Sequence, residues 1–219
     1  MTKNDRPAFG FEVLQKDGAA RRGRVTSGFG VVDTPAFMPV GTAASVKAMM
    51  PEQVASTGAQ IILSNTYHLM LRPGPERVER LGGVRKLMGW DGPLLTDSGG
   101  FQVMSLGPLR NISEQGVSFK SHLDGSIFDL TPERSTQIQH MLDATITMAF
   151  DECTPFPATY DEARASMELS MRWAARSRSA YVARTGYGQF GIVQGSIFED
   201  LRHQSIKALT DIGFEGYAI

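Results

Sequence analysis

Six compact apolar runs, AFMPVG, IILSN, LLTD, ITMAFD, FGIVQG and GYAI, recur along the chain, most of them closing on glycine or a polar residue. Unbroken rather than alternating apolarity is the pattern of strands buried on both faces, as in a parallel sheet. Between the runs lie helical patterns: SVKAMMPEQVAST, PERVERLG, PERSTQIQHMLDA, YDEARASMELSMRWAARSRSAYVART and EDLRHQSIKALTDIG. Strand and helix alternating in this way specify an α/β fold. Two segments depart from the rhythm. Residues 8–34, built around KDG and SGFG turns, read as a small antiparallel sheet, and VSFKSHLDGSIFDLTP reads as a β-hairpin insertion turning at Asp-Gly and covering one mouth of the parallel sheet. With residues 35–219 carrying the parallel strands, residues 1–219 read as a single domain.

Composition narrows the class. A chain of 219 residues with 42% hydrophobic content can bury a sizeable core. Lys and Arg number 22 against 23 for Asp and Glu, so no overall basic field advertises nucleic acid and any RNA site must be local. Cys153 is the single cysteine, which excludes an intramolecular disulfide and a CxxC metal site and fits a reducing cytoplasm. The opening MTKNDRPAFGFEV lacks an apolar signal core, and nowhere do about 18 apolar residues run together. Secretion and membrane insertion are not expected.

In barrels of parallel strands the active site forms at the carboxyl ends of the strands. Asn65 follows IILS, Asp97 follows LLT, Asp151 follows ITMAF and Gln194 follows FGIV, which places four polar groups at four successive strand ends. Asp97 opens DSGGF, where Ser98, Gly99 and Gly100 form a turn that lets backbone pass close to a ligand. Taken singly, Asp97 could equally accept turn N–H groups, and Asn65 could tie down a loop. Two carboxylates, two amides and Phe101 together suit a planar heterocycle such as a purine, its edge hydrogen-bonded and its face stacked. Cleavage of an N-glycosidic bond would need one carboxyl for proton traffic and another at the sugar carbon.

Other residues read as structural. His68 follows a strand end on an apolar helical start, His122 and Asp124 sit at the hairpin turn, and Cys153 has no adjacent histidine to activate it. Arg164, Arg172, Arg176, Arg178 and Arg184 fall on one long helix near residues 161–184, with Met167, Met171 and Trp173 toward a core, and such basic faces are ordinarily solvated.

The motifs TPAFMPVGT, NTYHLMLRPG, LLTDSGGFQVMSL, FKSHLDGS, MAFDECTP, FGIVQGS and GYA, in order over nearly the whole chain, resemble the bacterial-type tRNA-guanine transglycosylase family. The resemblance implies a modified TIM (β/α)8-type barrel. It also implies exchange of the wobble guanine of a tRNA anticodon for a 7-deazaguanine precursor of queuosine, through a covalent tRNA-enzyme intermediate. Asp97 would be the general acid/base, residues 97–101 would frame the base pocket with Phe101 stacking, and Asp151 and Gln194 would read the guanine edge. Asn65 and Gln102 resemble polar support around Asp97, and Val40 and Leu63 resemble apolar pocket walls. The implied partners are the tRNA anticodon loop, guanine or a 7-deazaguanine, and either a second copy or a carboxyl-terminal half.

Full-length members of that family continue into further barrel strands, an aspartate nucleophile and a structural zinc site of three cysteines and a histidine. Only six barrel-like strands are counted here where closure needs eight, so the chain reads as the amino-terminal part of a transglycosylase barrel, without metal or cofactor of its own and inactive alone. Two other classes stay open. One is a non-catalytic RNA- or base-binding subunit paired with an active homologue, marked by binding without turnover. The other is a divalent-metal barrel hydrolase using Asp97, Asp151 and nearby oxygens, marked by chelator sensitivity and weakened by the lack of a histidine pair at the first strand.

Overall fold

A computed structural model describes residues 6–219. In chain order the strands and α-helices are β1 (Gly10–Asp17), β2 (Ala20–Ser27), β3 (Gly30–Thr34), α1 (Pro51–Ser56), β4 (Ile62–Ser64), α2 (Thr66–Leu71), α3 (Pro75–Arg80), α4 (Val84–Met88), β5 (Leu94–Thr96) and α5 (Gly100–Met104). They continue with β6 (Arg110–Ile112), β7 (Val117–Lys120), β8 (Ile127–Leu130), α6 (Pro132–Met141), β9 (Ile146–Met148), α7 (Tyr160–Ala180), β10 (Gly188–Ile192), α8 (Glu199–Ile212) and β11 (Gly216–Ala218). The chain divides into two compact units. One holds the described residues up to Asp97 with Gln139–Thr147 and Val182–Gly188, and the other holds Ser98–Ile138, Met148–Tyr181 and Gln189–Ile219.

Five short strands pair in the order β11-β10-β9-β5-β4. β4 and β5 run parallel, with Ile62 opposite Leu94 and Ser64 opposite Thr96. Leu95 of β5 faces Ile146 of β9, and β10 and β11 run parallel with Phe190 opposite Gly216. All three residues of β5 and all three of β9 are buried, which is why their sequence shows no polar alternation. The first of the six apolar runs contributes a single parallel bridge, Val40 to Leu63, rather than a strand. Proline at position 39 withholds one backbone donor there. Among the described residues the strands do not close into a barrel.

β1, β2 and β3 form an antiparallel meander at the start of the chain. β7 and β8 pair antiparallel around the Asp-Gly turn, and β6 adds a third strand that the sequence pattern did not announce. The helix expected over SVKAMMPEQVAST is confined to α1: Pro51 occupies its first turn, and Ala44 and Ala48 upstream adopt positive φ, which a helix cannot accommodate. α7 ends at Ala180 because Tyr181 turns extended. Its start is secured by a capping box in which Thr159 and Glu162 satisfy each other's backbone N–H groups. Met167 and Trp173 are buried along it, and Met171 packs on a cluster of Ala149, Ala174, Val193, Leu209 and Phe214.

The arginines of α7 are not a simple solvated face. Arg172 grips Glu114 with two bonds of 2.9 and 2.8 Å. Arg176 grips Glu133 at 2.8 and 2.9 Å and also donates to the carbonyl oxygens of Glu114 and Gln115. Arg178 pairs with Glu215 at 2.9 and 2.8 Å, and Arg164 sits 3.3 Å from Asp161. Bidentate guanidinium geometry at Arg172, Arg176 and Arg178 ties the helix to the β6–β7 turn, α6 and the β11 approach, so these three side chains act within the fold.

Candidate active site

Asp97 is the residue immediately after β5, where buried Leu94, Leu95 and Thr96 carry the chain to the end of the sheet. Its own N–H donates to the carbonyl of Ser64 on the neighbouring strand at 3.3 Å. The carboxylate is held on both oxygens: Asn65 Nδ2 donates to Oδ2 at 2.5 Å, and the backbone N–H of Thr66 donates to Oδ1 at 2.8 Å. Thr66 Oγ1 then donates to the Asp97 carbonyl at 2.6 Å. Asn65 is the N-cap of α2, yet its side chain makes no capping bond to its own helix and turns to Asp97 instead. The aspartate thereby satisfies the first free N–H of α2, a position where a helix favours negative charge. Thr66 could not be picked out in the sequence, since its role depends on a partner 31 residues away.

A second cluster follows without a break. Ser98, buried, donates its hydroxyl to Asp151 Oδ1 at 2.7 Å and accepts the Gly100 N–H at 3.1 Å. Gln194 Nε2 donates to Asp151 Oδ2 at 2.8 Å, and the Gln194 backbone N–H donates to Ser205 Oγ of α8 at 3.0 Å. Gly99 lies in the left-handed region at φ 88°, where glycine is strongly favoured. Gly100 is fixed by space: a Cβ there would lie 2.5 Å from the Asp151 carbonyl oxygen and 2.9 Å from its carboxylate.

Phe101 opens α5 with 62% of its surface exposed, an aromatic face available to a ligand. Gln102 follows it, half-buried, on the same helix. Val40 and Leu63, the two anticipated apolar walls, are brought side by side by their parallel bridge, with Val40 48% exposed. The first unit offers Asp97 with its preset hydrogen-bond partners, and the second offers Asp151 with its own, the Gln194 amide and an open ring.

His68 lies on α2 with its ring edge-on to Tyr67 at 5.2 Å. Asp124 accepts the N–H of Ser126 within the β7–β8 turn, and His122 is exposed beside it. Burial, reinforced by the charge of Asp151, pushes the Cys153 thiol above its ordinary range, which disfavours a thiolate nucleophile. Among the described residues no three His, Cys, Asp or Glu side chains gather where a metal ion could sit.

A family profile described as Queuine tRNA-ribosyltransferase matches residues 16–219. Proteins named queuine tRNA-ribosyltransferase from Rickettsia felis, Rickettsia akari and Rickettsia bellii are 62%, 61% and 62% identical over 211 residues, 96% of this chain. The match takes in 58 to 59% of the length of those relatives, so the chain spans a little over half of the proteins it resembles. By this match and by the motifs that build both clusters, the chain belongs to the queuine tRNA-ribosyltransferase family.

Proposed function

We propose that these residues form the base-exchange portion of a tRNA-guanine transglycosylase with the modified TIM-type barrel of its family, replacing the wobble guanine of a tRNA anticodon with a 7-deazaguanine. The observation that carries the proposal is the double anchoring of Asp97 by Asn65 and the first N–H of α2, at the end of a buried strand. Fixed in this way, Asp97 is suited to accept a proton from the incoming base and to return one to the departing guanine, as a general acid/base must. Asp151, oriented by Ser98 and Gln194, accepts from the N–H groups on the guanine edge. Phe101 stacks on the base once it has left the anticodon loop, offsetting the stacking lost there.

The ribose carbon requires a nucleophile, and neither carboxylate is available for it: Asp97 moves the proton and Asp151 reads the base. In this account the nucleophile is supplied by sequence outside these 219 residues, as is the structural zinc site. With Cys153 as its single cysteine, this chain cannot supply three cysteine ligands. The test is incorporation of labelled guanine into tRNA by the 219-residue chain and by a chain extended to the length of its relatives. The extended chain should exchange guanine and the shorter one should not. Binding of RNA by the extended chain without any exchange would favour the non-catalytic subunit, and robust exchange by the 219 residues alone would show that the nucleophile lies among them.

A further inference from the structure

Two buried polar side chains of α6 touch the strand end that carries Asp97, one on each side of it. Gln139 Oε1 accepts from Thr96 Oγ1 at 3.1 Å, and Ser135 Oγ donates to the Ser98 carbonyl at 2.7 Å. Thr96, Gln139 and Ser135 have no exposed surface, and Ser98 has 3%. Ser135 and Gln139 are four residues apart and share one helix face. Ile138 shows that the same helix also buries apolar side chains. A serine and a glutamine in a buried helix face are worse packing choices than leucine or alanine unless their hydrogen bonds fix something that matters.

We propose, resting on the transglycosylase reading above, that Gln139 and Ser135 are positioning residues: through Thr96 and Ser98 they hold the strand end on both sides of the proton-transfer carboxylate. The two act by different routes. Gln139 restrains Thr96, and with it the backbone that launches Asp97, whose other restraints come from Asn65 and Thr66. Ser135 restrains the Ser98 peptide, and Ser98 in turn directs its hydroxyl at Asp151. Loss of the Gln139 bond therefore disturbs proton transfer, and loss of the Ser135 bond disturbs recognition of the base.

The test uses a chain extended to the length of its relatives, assayed for labelled-guanine exchange per folded molecule. Gln139→Met should lower kcat by about tenfold or more with the guanine KM unchanged, because small misplacements of a reacting group are costly in rate. Ser135→Ala should raise the guanine KM by about fivefold with a smaller effect on kcat, and guanine affinity by calorimetry should fall in step. Thr96→Val breaks the Gln139 bond from the other side and serves if Gln139→Met does not fold, whereas Thr96→Ser, which keeps the hydroxyl, should restore kcat. A merely structural role would lower the unfolding temperature and leave kcat and KM of the folded protein unsplit. Folded variants within about twofold of the parent in both constants, alongside an Asp97→Asn variant that has lost exchange, would overturn the positioning role. Exchange that survives Asp97→Asn would instead remove the functional reading, and this inference with it.

Discussion

Gln194 and Asp151 meet at 2.8 Å, the amide of one donating to a carboxylate oxygen of the other, while Ser98 donates to the second oxygen. Both partners are donors, so the site is built around an acceptor. Asp151→Asn replaces one acceptor with an NH2 group that must face a donor. Guanine affinity should fall by about 1.5–3 kcal/mol, the range for a hydrogen bond to a charged group, and selectivity for guanine over adenine should relax. Calorimetric titration with both purines checks this, and unchanged affinity and selectivity would show that Asp151 does not read the base.

Phe101 is 62% exposed, so truncating it removes little packing. Phe101→Ala should leave stability within about 0.5 kcal/mol of the parent, as is usual for surface changes. Guanine affinity should nevertheless fall by about 1–3 kcal/mol if the ring stacks on the base. Urea unfolding paired with calorimetry separates the two effects.

Gly100 presents the opposite case. The added Cβ of Gly100→Ala would meet the Asp151 backbone oxygen at 2.5 Å, and backbone cannot swing aside as a side-chain tip can. Destabilisation of about 1–3 kcal/mol, typical of overpacking, should accompany weakened guanine binding. Parent-like unfolding and binding would mean that the close approach relaxes freely.

Much of this site was legible in the sequence because strand ends advertise themselves: a buried run stops, and a polar residue follows. Asn65, Asp97, Asp151 and Gln194 were visible on that rule alone. Several of the residues that brace these strand ends were not. Thr66, Ser135, Gln139 and Ser205 are ordinary helix residues whose significance lies in partners 31, 37, 43 and 11 residues away. The short helices α4 and α5, of five residues each, were also missed, since so few residues show no period. The α7 arginines were misread because the acids that pair with them, Glu114, Glu133 and Glu215, come from separate stretches of chain.

Acid should weaken the fold in two stages. Burial, with the charge of Arg184, holds His140 down at about 4 from 6.5. Between those values the unfolded chain takes up a proton that the native state refuses, so stability present above about pH 6.5 declines as the pH falls toward 4. Glu133, hydrogen-bonded by Arg176, is held at about 2 from 4.5, and its contribution is lost over that lower window. His140→Gln should flatten the upper stage and leave the lower one in place. Urea midpoints measured from pH 7 down to 3 would reveal it, and an unaltered slope between 6.5 and 4 would show that His140 is not its source.

The role of Asp97 is tested most directly by Asp97→Asn in a chain extended to the length of its relatives, with labelled-guanine incorporation into tRNA as the readout. Asparagine keeps the side chain's size and can still accept from Asn65 or the Thr66 N–H, so the fold should survive. It cannot act as a general acid/base. Exchange should fall by about 10²–10⁴-fold, the usual contribution of such a group, while binding of guanine is largely retained. Exchange within about tenfold of the parent would contradict the assignment of Asp97 as the proton-transfer residue.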